Sequence, residues 1–290
     1  WGIDPRIEHK AYPQAYNVFH LLRHFRKQVR LFKETGWHKL GQDWAYIHAG
    51  GAIGNMQPNK VVRGDFSEPI FSRYSLPACC ANPSQAASVM QQLLEIGSPG
   101  IAYPMAAMIW LPPLAELFRQ QNHPVGFVAY LKGSSGCGKS SLAALALSAF
   151  GDMDKQSFPA SFRDTLASLE QTFATLKDSL CVVDDYHPRE KSELRAMNDL
   201  ADSIGRMVAD GNSRGRSNQK KLRSQAIVLA TGELVPSIAP SGLSRFLFIE
   251  CNAADLDYTG KFKDAMKTIP LLRQAMQDFI AWIAANWDRV

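Results

Sequence analysis

Eight consecutive residues have the types and spacing to act together: Gly133, Ser134, Ser135, Gly136, Cys137, Gly138, Lys139 and Ser140. They satisfy GxxxxGK[ST], a spacing in which the backbone curls tightly enough to aim successive N–H groups and the start of a helix at a phosphate. Side chains at the glycines would obstruct that curl. Lys139 is suited to neutralise β- and γ-phosphate charge, and the Ser140 hydroxyl, followed by Ser141, to take one position on Mg²⁺. A serine- and glycine-rich connecting turn is the bland alternative. The flanks favour the first reading, because VGFVAY before the motif has the pattern of a buried strand and LAALALSAF after it that of an apolar helix.

A second chemical group is expected on another strand. SLCVVDDYHP supplies apolar residues from Leu180 to Val183, followed by Asp184 and Asp185 at the strand's C-terminal end. Ligands of open α/β sheets bind at that end. Asp184 is the expected Mg²⁺-organising carboxylate and Asp185 the group that orients or deprotonates an attacking water. Two acids capping the next helix would look the same. No [NT]KxD base-recognition spacing occurs at TLKD, so ATP is expected rather than GTP. A small-molecule kinase stays open on these two motifs.

Two further residues bear on that choice. QAIVLATGE ends in Thr231, where a polar side chain between the acid strand and the γ-phosphate can report the phosphate's presence. PSGLSRFLFIEC carries Arg245 just before an apolar strand. A cation there could close its own site, pair on the surface, or serve a neighbouring subunit's ATP by stabilising transition-state charge. From Arg206 to Arg223 the chain holds six basic residues against one acid, in a Gly/Ser/Asn-rich setting. Arg214, Arg216, Lys220, Lys221 and Arg223 therefore form a candidate exposed loop able to grip nucleic-acid phosphates without reading sequence, or simply a solvated loop.

The elements that must position these groups alternate. After Pro124 the pattern runs strand, helix, short strand at QSFPASF, helix, strand, helix, basic loop, strand, strand, which predicts an α/β fold around a parallel sheet with helices on both faces. YNVFHLLRHFRKQVRLFK has helical spacing, TGWHKLGQDWAYIHAGGAIG reads as short strands around a turn, and MAAMIWLPPLAELFRQQ reads as a helix interrupted at Pro112 and Pro113. The expected division is a mixed α+β N-terminal domain over 1–84, a nucleotide-binding core over 85–254 and a C-terminal helical segment over 255–290 acting as a partial lid.

Composition sets outer limits. With 46% hydrophobic residues the 290-residue chain can bury a large core, and its longest apolar stretches are broken by proline short of the ~20 residues a membrane span needs. The five cysteines show no paired CxxC spacing, which suggests free thiols in a reducing cytoplasm. A start at Trp1 suggests a piece of a longer protein.

The motifs together resemble a known family. TGWHK, WAYIHAGGAIG, RDTLASLE, VVDDYHP, LATGE and SGLSRF look like the bacterial domain-of-unknown-function family 927, from about Thr35 to Cys251. Thr231 then resembles the sensor-1 position of AAA+ ATPases, and LSRF the arginine-finger segment of minichromosome-maintenance helicases. The resemblance implies an AAA+-like, helicase-related P-loop ATPase that assembles as a ring, expected to be a hexamer, on DNA during replication of a phage or mobile element. One departure is Asp185, where many AAA+ proteins carry the longer glutamate. A nucleotide-switched regulatory or assembly ATPase that never unwinds DNA remains the competing class.

Overall fold

The computed structural model describes residues 28–54, 60–66, 68–77, 83–211, 222–257 and 260–290. Its first part is built from short strands. Strand β1 (Gln28–Phe32) pairs in parallel with β5 (Lys60–Gly64), and β2 (Gly36–Leu40), β3 (Asp43–His48) and β4 (Gly51–Gly54) form an antiparallel meander. The helix expected over YNVFHLLRHFRKQVRLFK is corrected where it is described: Gln28–Phe32 is a strand. The reason is non-local, since Val29 is in register with Val61 across the ladder, a partner that local periodicity does not reveal.

Helix α1 (Pro83–Leu94) and α2 (Pro99–Trp110) follow. Pro112 and Pro113 then force a 3₁₀ turn before α3 (Ala115–Gln120), and the chain bends by 46° there. No single described helix is long and apolar enough to cross a membrane.

The sheet beyond Pro124 is five-stranded and entirely parallel. Its members are β6 (Val128–Lys132), β7 (Ala160–Ser161), β8 (Leu180–Tyr186), β9 (Ile227–Gly232) and β10 (Phe246–Glu250), in the order β10-β6-β9-β8-β7. Val128 to Leu131 and Leu180 to Val183 are completely buried, as a sheet covered on both faces requires. The connecting helices are α4 (Lys139–Leu147), α5 (Leu166–Thr175) and α6 (Lys191–Asp210). Thr165 caps α5, its hydroxyl accepting the Ser168 N–H at 3.2 Å. The strand order matters for function, because β9, although fourth in sequence, lies between β6 and β8.

Helices α7 (Lys261–Lys267) and α8 (Ile269–Ala285) end the chain, α8 packing on α1, β3 and β4. One core runs across residue 84, the expected boundary: Trp37, Tyr46, Val89, Tyr130, Phe173 and Ile280 all belong to it. Trp37 and Tyr46 meet edge to face at 5.4 Å, and Trp44 stacks on Trp287 at 4.5 Å. A buried ionic cluster adds to this join. Asp178, fully buried, accepts the Trp37 N–H at 3.0 Å and pairs with Lys177 at 3.2 Å and with Arg119, while Glu116 pairs with Arg119 at 2.7 Å.

Candidate nucleotide site

The loop between β6 and α4 has the backbone its sequence requires. Gly136 and Gly138 take φ of 78° and 101°, left-handed values that a Cβ would strain. Gly138 caps α4, which begins at Lys139, so the helix start faces the loop. Gly133 is crowded differently, as a Cβ there would collide with the Cys251 carbonyl and the Cys137 sulfur. The Lys139 ammonium folds over the loop and donates to the carbonyls of Gly133 at 2.7 Å and Ser134 at 2.8 Å.

A cavity of about 320 Å³ opens beside this loop. Ser135, Gly136, Gly138, Lys139, Ser140 and Ser141 line one side. Asp184, Asp185 and Thr231 line the other, at the C-terminal ends of β8 and β9. Gly133, Ser134 and Cys137 of the loop do not line the cavity, Ser134 being exposed and Cys137 buried.

Thr231 occupies the position the interposed strand gives it. Buried to 2% exposure, its hydroxyl donates to Asp184 Oδ1 at 2.5 Å and accepts the Asp185 N–H at 3.2 Å. That second bond exists because the β8–β9 ladder is irregular between Val183 and Tyr186, and Asp185 adopts φ 67°. A non-glycine residue in this region costs about 1–3 kcal/mol, a strain that recurs at functional sites. Burial holds the Asp184 carboxyl above its ordinary value of 3.8, and the Asp185 charge adds to the rise. Hydrogen bonds from Thr231 and Ser140 offset part of it.

Lys155, Gly232 and Glu233 on the wall, and Arg163 beside Asp185, carried no assignment from sequence. Lys155 and Glu233 line the cavity, and Arg163 stands 3.6 Å from the Asp185 carboxylate. Glu233 meets His187 at 3.2 Å. Arg163 follows the short strand β7, next to β8 in the sheet, a placement that its local sequence does not reveal.

Other expected residues lie elsewhere. Arg245 is bonded to the Ser241 carbonyl at 2.5 Å and precedes β10, whose Phe246 is in register with Val128. It therefore sits at the opposite end of the sheet from its own cavity, separated by a strand of roughly 16 Å. That position removes the option that it closes its own site. Arg223 lines a separate cavity of about 250 Å³ at the same far end, with Arg119 and the end of α6. Arg214, Arg216, Lys220 and Lys221 lie outside the described residues. No described residue of α7 or α8 lines the 320 Å³ cavity.

Residues 105–225 match the family model described as Domain of unknown function (DUF927), the family the motifs resemble. The match takes in the phosphate loop and Asp184–Asp185 and ends before Thr231 and Arg245, narrower than the span expected from Thr35 to Cys251. Among solved structures, the chain is similar to one described as "SCCmec type IV Cch - active helicase", with a TM-score of 0.61, 15% identity, and coverage of 97% of this chain and 52% of that one. Likeness at that identity speaks for the fold. Weaker matches, which carry no argument, are "The X-ray structure of JCV Helicase" (TM-score 0.39, 14% identity, 69% of this chain and 54% of that) and the NrS-1 C terminal region (0.39, 15%, 81% and 56%). The chain spans about half the length of these structures. No curated protein sequence matches it. In sequence the chain is similar over residues 105–225 to the DUF927 family model, and in fold to a structure described as a helicase.

Proposed function

We propose that the protein is an ATP-hydrolysing, AAA+-like P-loop motor that moves along or opens DNA during replication of a phage or mobile element. The observation that carries this reading is the convergence of Lys139, Ser140, Asp184, Asp185 and Thr231 on one cavity. Lys139 exchanges its loop carbonyls for phosphate oxygens, and the loop's N–H groups and the start of α4 hold the remaining charge. Ser140 and Asp184 offer the hard oxygen donors that Mg²⁺ takes, and a buried carboxylate raised in pKa beside a second acid is suited to a divalent cation. When bound, that ion neutralises charge developing on the phosphates. Asp185 orients the water, and Thr231 links the two acids so that a change at one is felt at the other.

Arg245 acts in this proposal on the site of a neighbouring copy, which makes the working form a ring, by analogy a hexamer, in the cytoplasm. The basic residues Arg214, Arg216, Lys220, Lys221 and Arg223 hold DNA phosphates in this proposal, and Arg223 lies at the far end of the sheet. The 1–84, 85–254 and 255–290 division is kept as an organisation of roles, with the last segment bracing the first rather than lining the cavity.

Mixing subunits tests the shared site. Lys139→Ala and Arg245→Ala proteins, each inactive alone, should regain part of the ATPase rate when combined, because mixed rings contain interfaces with both groups intact. Full activity of Arg245→Ala alone, with no recovery on mixing, defeats the claim. Strand displacement driven by DNA-stimulated hydrolysis separates a motor from an ATPase that only switches partners.

A further inference from the structure

Two buried thiols that the proposed hydrolysis does not use meet behind the phosphate loop. Cys137 belongs to the loop itself, and Cys251 follows the last residue of β10. Both are 1% exposed. The Cys251 thiol donates to the Cys137 carbonyl at 3.4 Å, and both residues crowd Gly133, where an added Cβ would collide with the Cys251 carbonyl and lie 2.6 Å from the Cys137 sulfur. The backbone holds them there: the Cys251 N–H donates to the Lys132 carbonyl at 2.7 Å, and Gly133 leaves room between the two residues that a side chain would fill.

We infer that Cys137 and Cys251 form an oxidisable dithiol whose closure to a disulfide switches nucleotide binding off, with hydrogen peroxide as the oxidant. The Lys139 ammonium donates to the Cys137 sulfur at 3.8 Å, so charge developing on that sulfur lies beside a cation. Cys251 is the second partner. Burial pushes its thiol up to about 12 and keeps it protonated, so its proton leaves as the S–S bond forms. The Cys137 sulfur attacks one oxygen of the peroxide, the O–O bond breaks, and the departing hydroxide takes the Cys137 proton, leaving sulfenic acid and water. The Cys251 sulfur then attacks the Cys137 sulfur; the S–S bond forms, the S–O bond breaks, and the departing hydroxide takes the Cys251 proton as a second water. Two thiols have lost two electrons and the peroxide has gained them.

The cross-link ties the loop to the end of β10, where Lys139 is already bonded to the Gly133 and Ser134 carbonyls. Both thiols are free, so closing an S–S bond of about 2.0 Å pulls Cys137 toward the end of β10 and draws the loop N–H groups away from the arrangement that faces the cavity. The effect on binding rests on the nucleotide-binding reading above; the cross-link itself does not.

The experiment treats the whole chain with hydrogen peroxide, maps disulfides by peptide mass and measures affinity for a fluorescent non-hydrolysable ATP analogue with Mg²⁺. The expected result is a Cys137–Cys251 peptide, affinity at least tenfold weaker, recovery with dithiothreitol, and no loss of affinity on oxidation of Cys251→Ser or Cys251→Ala. A loss that persists in both variants, a peptide map lacking that link, or a link that leaves affinity unchanged overturns the inference. Absence of analogue binding in the reduced protein defeats the nucleotide reading instead, with the peptide map still deciding the cross-link.

Discussion

Asp184 is held in a conflict that its partners only partly relieve. Burial and the Asp185 charge raise its carboxyl, so the folded protein binds this proton more tightly than the unfolded chain does. Its contribution to stability is therefore fully present below the ordinary value of 3.8 and is lost as pH rises through the raised value. Asp184→Asn should raise the melting temperature at pH 7, and the gain should vanish in acid, as followed by scanning calorimetry across pH. An equal gain at every pH would mean the conflict is absent. The same variant should lose hydrolysis by orders of magnitude while keeping its fold. The residues of this site are legible in the sequence because their chemistry is local: a glycine-rich loop and two acids at a strand end. Arg163 is not, since only the turn in which Asp164 accepts the Ser161 N–H at 2.8 Å brings it to Asp185.

At the scale of elements, buried parallel strands announce themselves by unbroken apolar runs, and β6, β8 and β9 are readable for that reason. The strand β1 and the Asp178 cluster are not, because each depends on partners distant in sequence. Val29 pairs with Val61, and the cluster draws on Trp37, Glu116, Arg119 and Lys177. That cluster fastens the meander β2–β4 to the base of β8. Removing its central acid strands buried cations and a backbone N–H, so Asp178→Ala should cost about 3–5 kcal/mol in urea unfolding. A cost below about 1 kcal/mol would show that solvent readily replaces the acid. The cluster lies at the opposite end of β8 from the cavity, so analogue affinity in whatever protein remains folded should be unaffected.

For the whole molecule, the two ends of the sheet carry different groups. Carboxylates and the phosphate loop occupy the C-terminal ends of its strands, while Arg223 and Arg245 stand at the N-terminal ends. Neutralising Arg214, Arg216, Lys220 and Lys221 together should weaken DNA binding without sequence dependence and lessen the slope of log affinity against log salt by up to about 3 for single strands. Basal ATPase without DNA should persist. An unchanged salt slope in fluorescence titrations would remove the segment from the DNA path. Strand β9 joins these ends directly: the basic segment runs into its first residues, and Thr231 sits near its last. It is fully buried and laddered on both sides, so over roughly 20 Å it behaves as a stiff rod. If DNA is held at the far end as proposed, a pull there would arrive as an axial shift of the Thr231 hydroxyl between two acids, a transmission with no hinge and no gearing.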